Sequence, residues 1–147
     1  MEKVYIVAAQ RTPIGKFNGQ LASKSAVELG AIAIKAAVEK AKLSGNDIDQ
    51  VLMGNVIQAG TGQNPARQAS MTAGLGEQVP AITINDVCAS GMSSVNLAAS
   101  LIRAGQANVI VAGGWKVCPK PHMFFLKHGM VIGLGTEPYL MQCKVML

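Results

Sequence analysis

The chain has 147 residues, half of them hydrophobic and 14% charged, with a mean hydropathy of +0.31. That is the length of one domain or a piece of one, and it excludes an intrinsically disordered chain. Sixteen Gly and six Pro without a fixed period exclude collagen, and 4% aromatics are too few for a base-stacking nucleic-acid module. The net charge of +5 divides unevenly: residues 1–114 carry nine Lys/Arg against seven Asp/Glu, whereas residues 115–147 carry four against one. The basic balance is mainly a property of the end of the chain.

Residues 3–9, KVYIVAA, are apolar and β-branched and predict a buried strand. A Pro/Gly loop follows over 10–24. Ser25 and Glu28 form the S-x-x-E signature of a capping box, so a helix is expected to about Lys42, burying Val27, Ala31, Ile34 and Val38. VLMGNVI at 51–57 predicts a second strand. GTGQNPARQASMTAG at 60–74 is a Gly-rich entry to a second helix, with Pro65 in its first turn. AITIN at 81–85, a helix from about Ser90 to Ala104, and NVIVAGG at 108–114 complete the pattern. Alternating strands and helices imply a parallel sheet of at least four strands, covered on both faces.

The segment that can carry chemistry is INDVCASGMSSV, residues 84–95. Cys88 falls between a buried strand and the first turn of an Ala/Ser/Gly-rich helix. A helix N-terminus offers unpaired N–H groups and partial positive charge, which favour the thiolate, the nucleophilic form. Gly91, Ala89 and Ser90 leave room for a substrate. A buried Cys is more often a small hydrophobe, and the strand-to-helix placement is what raises the reactive reading to even terms with that one.

Ile84-Asn85-Asp86-Val87-Cys88-Ala89-Ser90-Gly91-Met92 resembles the nucleophile motif of the thiolases, with Val95 and Ile102 at its aliphatic positions. Arg11-Thr12-Pro13-Ile14-Gly15, with Phe17, Gly19 and Leu21, is similar to the family's opening segment. Gly54-Asn55-Val56 and Gly62-Gln63-Asn64-Pro65-Ala66-Arg67-Gln68 are similar to its G-N-V…G-Q-N-P-A-R-Q segment. The resemblance covers residues 1–114 and is greatest to the acetyl-CoA acetyltransferase branch. It implies a thiolase-like α/β fold, here a truncated N-terminal lobe with a parallel or mixed sheet and helices on both faces. It also implies Cys88 as an acyl-carrying nucleophile that condenses two acetyl-CoA to acetoacetyl-CoA. The full-length form would be a homotetramer with no metal and no tightly bound cofactor. Ketoacyl synthases and hydroxymethylglutaryl-CoA synthases share the Cys on a similar fold, but the R-T-P and G-Q-N-P-A-R-Q segments argue against both.

The family also uses G-H-P and C-x-G-G motifs, and this sequence contains neither: His122 lies in KPHM, His128 in KHGM, and Cys118 and Cys143 lack the following x-G-G. A nucleophile without its base is therefore expected, and with it an inactive fragment. Residues 115–147 read as a separate tail out of frame. A one-base shift through the codons of Trp115-Lys116 contains GAA, which forces the Glu that thiolases carry after Gly-Gly.

Other signals are weak. Cys118, His122, His128 and Cys143 have no zinc spacing. GTGQNPAR lacks the Lys of a phosphate-binding loop. Arg67 has the chemistry for catalysis but is expected rather in packing or a subunit contact, and Met53, Met71 and Met92 in the core. Three Cys without a secretory leader suggest free thiols in the cytoplasm. No nucleic-acid or membrane partner is expected.

Overall fold

The computed structural model describes residues 3–16 and 18–117. Helix α1, Ala26–Lys40, starts where the capping box places it: the Ser25 hydroxyl accepts from the Glu28 N–H at 3.1 Å, and the Glu28 carboxylate accepts from the Ser25 N–H at 2.8 Å. Its expected inner face is buried at Ala31, Ile34 and Val38, with Val27 partly buried. A single 3-10 turn at Gly45–Asp47 then leads to β1, Gln50–Asn55. Helix α2 (Pro65–Thr72), β2 (Ala81–Ile84), α3 (Ser90–Arg103) and β3 (Ile110–Trp115) follow in the predicted order.

The three strands form one parallel sheet in the order β2-β1-β3. The chain steps from β1 to β2 in one direction and from β2 back past β1 to β3 in the other. Right-handed crossovers then require α2 and α3 to lie on opposite faces. The packing agrees. Val51 and Met53 join the core beside Ile34, Ala66 and Ala69, while Gly54, on the alternate face, abuts the start of α3. The centre of β1 is therefore buried on both sides, with Val51, Leu52 and Met53 at 0% exposure. Helices cover both faces, as expected.

Three expectations are corrected. The segment 3–9 forms no strand: Tyr5, Ile6 and Val7 are exposed at 72%, 82% and 73%. Strand propensity expresses fit to a paired, covered surface, and neither edge of the described sheet pairs with this segment. The described sheet accordingly has three strands rather than at least four. Of the methionines expected in the core, Met53 is buried, but Met71 and Met92 are exposed on α2 and α3.

β3 begins two residues later than its pattern suggested, because the Asp49 carboxylate takes the N–H groups of Asn108 (2.6 Å) and Val109 (2.9 Å) before the ladder begins. At its other end β3 runs to Trp115, which is buried. The two backbone donors hold the Asp49 carboxyl below its ordinary value of 3.8. A carboxyl depressed on folding stabilises at pH above that ordinary value, and the contribution is lost as the pH falls through the lower, folded-state value. Acid titration of unfolding is expected to show a component below pH 3.8 that disappears in Asp49→Asn.

Candidate functional site

In a parallel sheet with alternating helices, all strand-to-helix loops leave at one edge, and open α/β folds bind their ligands in the crevice there. The residues singled out from the sequence as Cys88 and its neighbours lie in such a loop, between β2 and α3. Cys88 is exposed and carries a free thiol. It stands one residue before Ala89, the N-cap of α3, whose first-turn N–H groups have no acceptor within the helix.

The turn that presents Cys88 is tightly braced. The Asn85 side chain donates to the Val56 carbonyl at 3.1 Å, tying the loop to the segment after β1, and accepts from the Val87 N–H at 3.2 Å. The Asp86 carboxylate accepts from the Ser93 hydroxyl, and the Asp86 carbonyl from the Ala89 N–H at 2.9 Å. The Ser90 hydroxyl joins both flanks of Val87. Val87 itself has φ +45°, a left-handed backbone that a β-branched residue adopts only when its surroundings hold it there, at a cost of about 1–3 kcal/mol.

Behind the turn, α3 meets the sheet backbone to backbone. A Cβ on Gly54 would lie 2.5 Å from the Ser90 carbonyl carbon and 2.7 Å from the Gly91 nitrogen, and one on Gly114 would lie 3.0 Å from the Gly91 Cα. The glycines in β1 and β3 let the start of α3 sit directly on the ends of two strands.

The G-Q-N-P-A-R-Q segment, at the same edge of the sheet, is a structural unit. Asn64, at φ +43°, caps α2 by accepting from the Arg67 N–H at 3.3 Å. Its side chain also donates to the Ala81 carbonyl at 2.9 Å and accepts from the Thr83 hydroxyl at 2.7 Å, which locks α2 to β2. Gln68 closes the preceding loop on the carbonyls of Thr61 and Gln63. The Arg67 guanidinium donates to the carbonyls of Val79 (2.6 Å) and Glu77 (2.9 Å), which is the packing role expected for it. Removing both charge-assisted bonds leaves two carbonyls without that donor. Arg67→Ala is expected to cost about 2 kcal/mol. Arg67→Lys, with a single point of charge, is expected to recover less than half of that. Urea midpoints at unchanged slope measure both.

The R-T-P segment goes elsewhere. Arg11, Thr12 and Pro13 line a mainly apolar groove with Leu29, Ile32 and Ala36 of α1, and none of residues 85–90 lines it. Among the described residues there is no histidine and no group of three or more His, Cys, Asp or Glu that could hold a metal. Also among them, no helix is long and apolar enough to cross a membrane. Phe17, Cys118, His122, His128, Cys143 and most of the 115–147 tail lie outside the described residues. Sequence reasoning missed Ser90 as a bracing group and Val87 as a left-handed residue. The first is hidden because Ala89 and not Ser90 is the cap. The second is hidden because valine signals extended backbone.

Comparison with known proteins agrees with this arrangement. The thiolase N-terminal domain matches residues 4–120. The acetyl-CoA acetyltransferase of Escherichia coli K12 is 60% identical over 144 residues, which is 98% of this chain and 32% of that protein. The acetyl-CoA acetyltransferase of Cupriavidus necator is 52% identical over 124 residues, 84% of this chain and 32% of its own length. The mitochondrial acetyl-CoA acetyltransferase of Xenopus tropicalis is 54% identical over 114 residues, 78% of this chain and 27% of its own length. The crystal structure of the Acat5 thiolase of Ascaris suum in complex with coenzyme A superposes with a TM-score of 0.75 at 39% identity, covering 77% of this chain and 30% of that one. The chain thus spans about a third of the length of the relatives it matches.

Proposed function

The chain belongs to the thiolase family, within its N-terminal domain, and we propose on that premise that Cys88 is the acyl-accepting nucleophile of an acetyl-CoA acetyltransferase. The observation that carries the reading is the position of Cys88: an exposed thiol at the loop edge of a parallel sheet, directly ahead of α3. In the first half-reaction the Cys88 sulfur attacks the thioester carbonyl of acetyl-CoA. A carbon–sulfur bond to the enzyme forms, the bond to the CoA sulfur breaks, and CoA leaves with a proton. In the second, an acetyl-CoA deprotonated at its methyl carbon attacks the acetyl group on Cys88. Acetoacetyl-CoA forms and the Cys88 sulfur is released.

Both halves need proton transfers and a stabilised oxyanion. The G-H-P and C-x-G-G motifs that would supply part of this are not in the sequence. A second reading follows from that observation: the 147-residue chain does not turn over by itself. In the acetyltransferase reading, CoA thioesters are the substrates, and assembly into a homotetramer belongs to the full-length form. No metal or bound cofactor takes part. The departure from family pattern after Gly114 fits a one-base shift, and the gene read with one base restored there is expected to continue into both missing motifs. A reading frame that meets neither motif would set that part aside.

The functional proposal is tested with a chimera in which residues 1–114 replace the matching segment of the Escherichia coli acetyltransferase. Condensation at a rate within about tenfold of the parent supports it, and a folded tetramer with no activity contradicts it.

A further inference from the structure

Ser90 is 4% exposed although it opens a helix whose end faces solvent, and its hydroxyl is used twice. It accepts from the Asp86 N–H at 2.9 Å and donates to the Val87 carbonyl at 2.6 Å. The two bonds bracket Val87, the residue held at φ +45°. The Val87 carbonyl belongs to the peptide group that carries the Cys88 nitrogen, so the Ser90 hydroxyl orients that peptide, adding its shorter bond to the one from the Ser90 backbone N–H at 3.2 Å. Ser93, one turn further along α3, holds the Asp86 carboxylate, so Asp86 is gripped at both its backbone and its side chain. Ser90 has little freedom to retreat. Its own backbone lies against Gly54, where even a methyl group would overlap it.

We propose that Ser90 is the positioning residue of the nucleophile: its hydroxyl clamps Asp86–Val87–Cys88 in a left-handed turn that valine does not favour, and so keeps the Cys88 sulfur ahead of the first turn of α3. The role assigned to the clamp rests on the reading of Cys88 as the nucleophile. Without the clamp, Val87 returns to negative φ and the Cys88 peptide rotates away from the helix end. A glycine at 87 adopts positive φ without help. The loss of Ser90 should then cost little in a Val87→Gly background, an interaction that a simple packing role does not produce.

The experiment follows alkylation of the 147-residue chain by iodoacetamide, resolved by peptide mass. In this step the Cys88 sulfur bonds to the reagent's methylene carbon, the carbon–iodine bond breaks, iodide leaves and the thiol proton goes to buffer. Cys118 and Cys143 serve as references in the same digest. Ser90→Ala is expected to slow Cys88 about fivefold relative to Cys143, the scale of losing a helix-terminus interaction. Val87→Gly alone is expected to stay within about twofold of the parent, and the double variant within about twofold of Val87→Gly. An unchanged rate in Ser90→Ala overturns the proposal, as does an equal slowing in both backgrounds. If Ser90→Ala instead unfolds the chain, with Cys88 reacting as it does in urea, the double variant decides. Recovery of the folded rate supports the clamp and no recovery overturns it. An inactive chimera beside intact clamp kinetics would remove the nucleophile and leave the clamp, and the opposite result would remove the clamp alone.

Discussion

Cys88→Ser in the 1–114 chimera is expected to lower condensation by at least about 10⁴-fold, with the folded state and its stability unchanged. On the proposed role the acyl group would have no other thiol to accept it at the sheet edge: Cys88 is the one thiol among the described residues, and it is exposed, so the isosteric change leaves no cavity. A hydroxyl, far less acidic than a thiol, is a much weaker nucleophile beside a base suited to deprotonating a thiol. Initial rates over a range of acetyl-CoA concentrations check this. A loss confined to KM would show that Cys88 contributes binding and not bond formation.

Gly54→Ala carries the second largest expected effect, this time on folding. The added methyl would meet backbone on every side: the Ser90 carbonyl carbon at 2.5 Å, the Gly91 nitrogen at 2.7 Å and the Ser90 oxygen at 2.7 Å. No side chain can rotate out of the way, so α3 must lift from β1, taking the Cys88 turn with it. A loss of about 3 kcal/mol or more is expected, against a total stability of about 5–15 kcal/mol for an ordinary domain. Gly105→Ala is the control. Gly105 has φ +68° but nothing within 4 Å of its Cβ position, so only the left-handed strain of about 1–2 kcal/mol applies. Equal losses in the two variants, measured by urea unfolding of the chain, would mean that the close approach of α3 is not what Gly54 protects.

Most of the order of elements was legible because it rests on local signals. Ser25 and Glu28 write the start of α1 as a reciprocal pair of hydrogen bonds, Pro65 marks the first turn of α2, and the runs at 51–55 and 81–84 are strands with no competing period. The segment 3–9 has the same kind of signal, yet its strand does not form in the described chain. A strand is completed by a neighbour, and that partner is not written in the segment itself. The same limit explains Met71 and Met92, whose side chains carry no record of which helix face meets the sheet.

At the site, Cys88 was legible from its place between strand and helix, and the segment around it by family resemblance. The devices that hold it were not. Ser90 reads as one more small residue in C-A-S-G, and its value comes from two backbone groups that only the turn brings within reach. Val87 reads as strand, yet its φ is positive, and the bonds that brace its turn come from groups on either side of it. Arg67 and Asn64 were legible as a motif but not in detail, since their partners Val79, Glu77, Ala81 and Thr83 lie 10 to 19 residues away.

The most direct test of Cys88 as the acyl acceptor is to trap the intermediate. The chimera is mixed with acetyl-CoA, quenched in acid within the first turnover, digested and mapped by mass. The account predicts one acetyl group, on the peptide containing Cys88, that is removed by hydroxylamine and absent in Cys88→Ser. Acetylation of an active chimera at any other residue, or turnover with Cys88 never acylated, would contradict it.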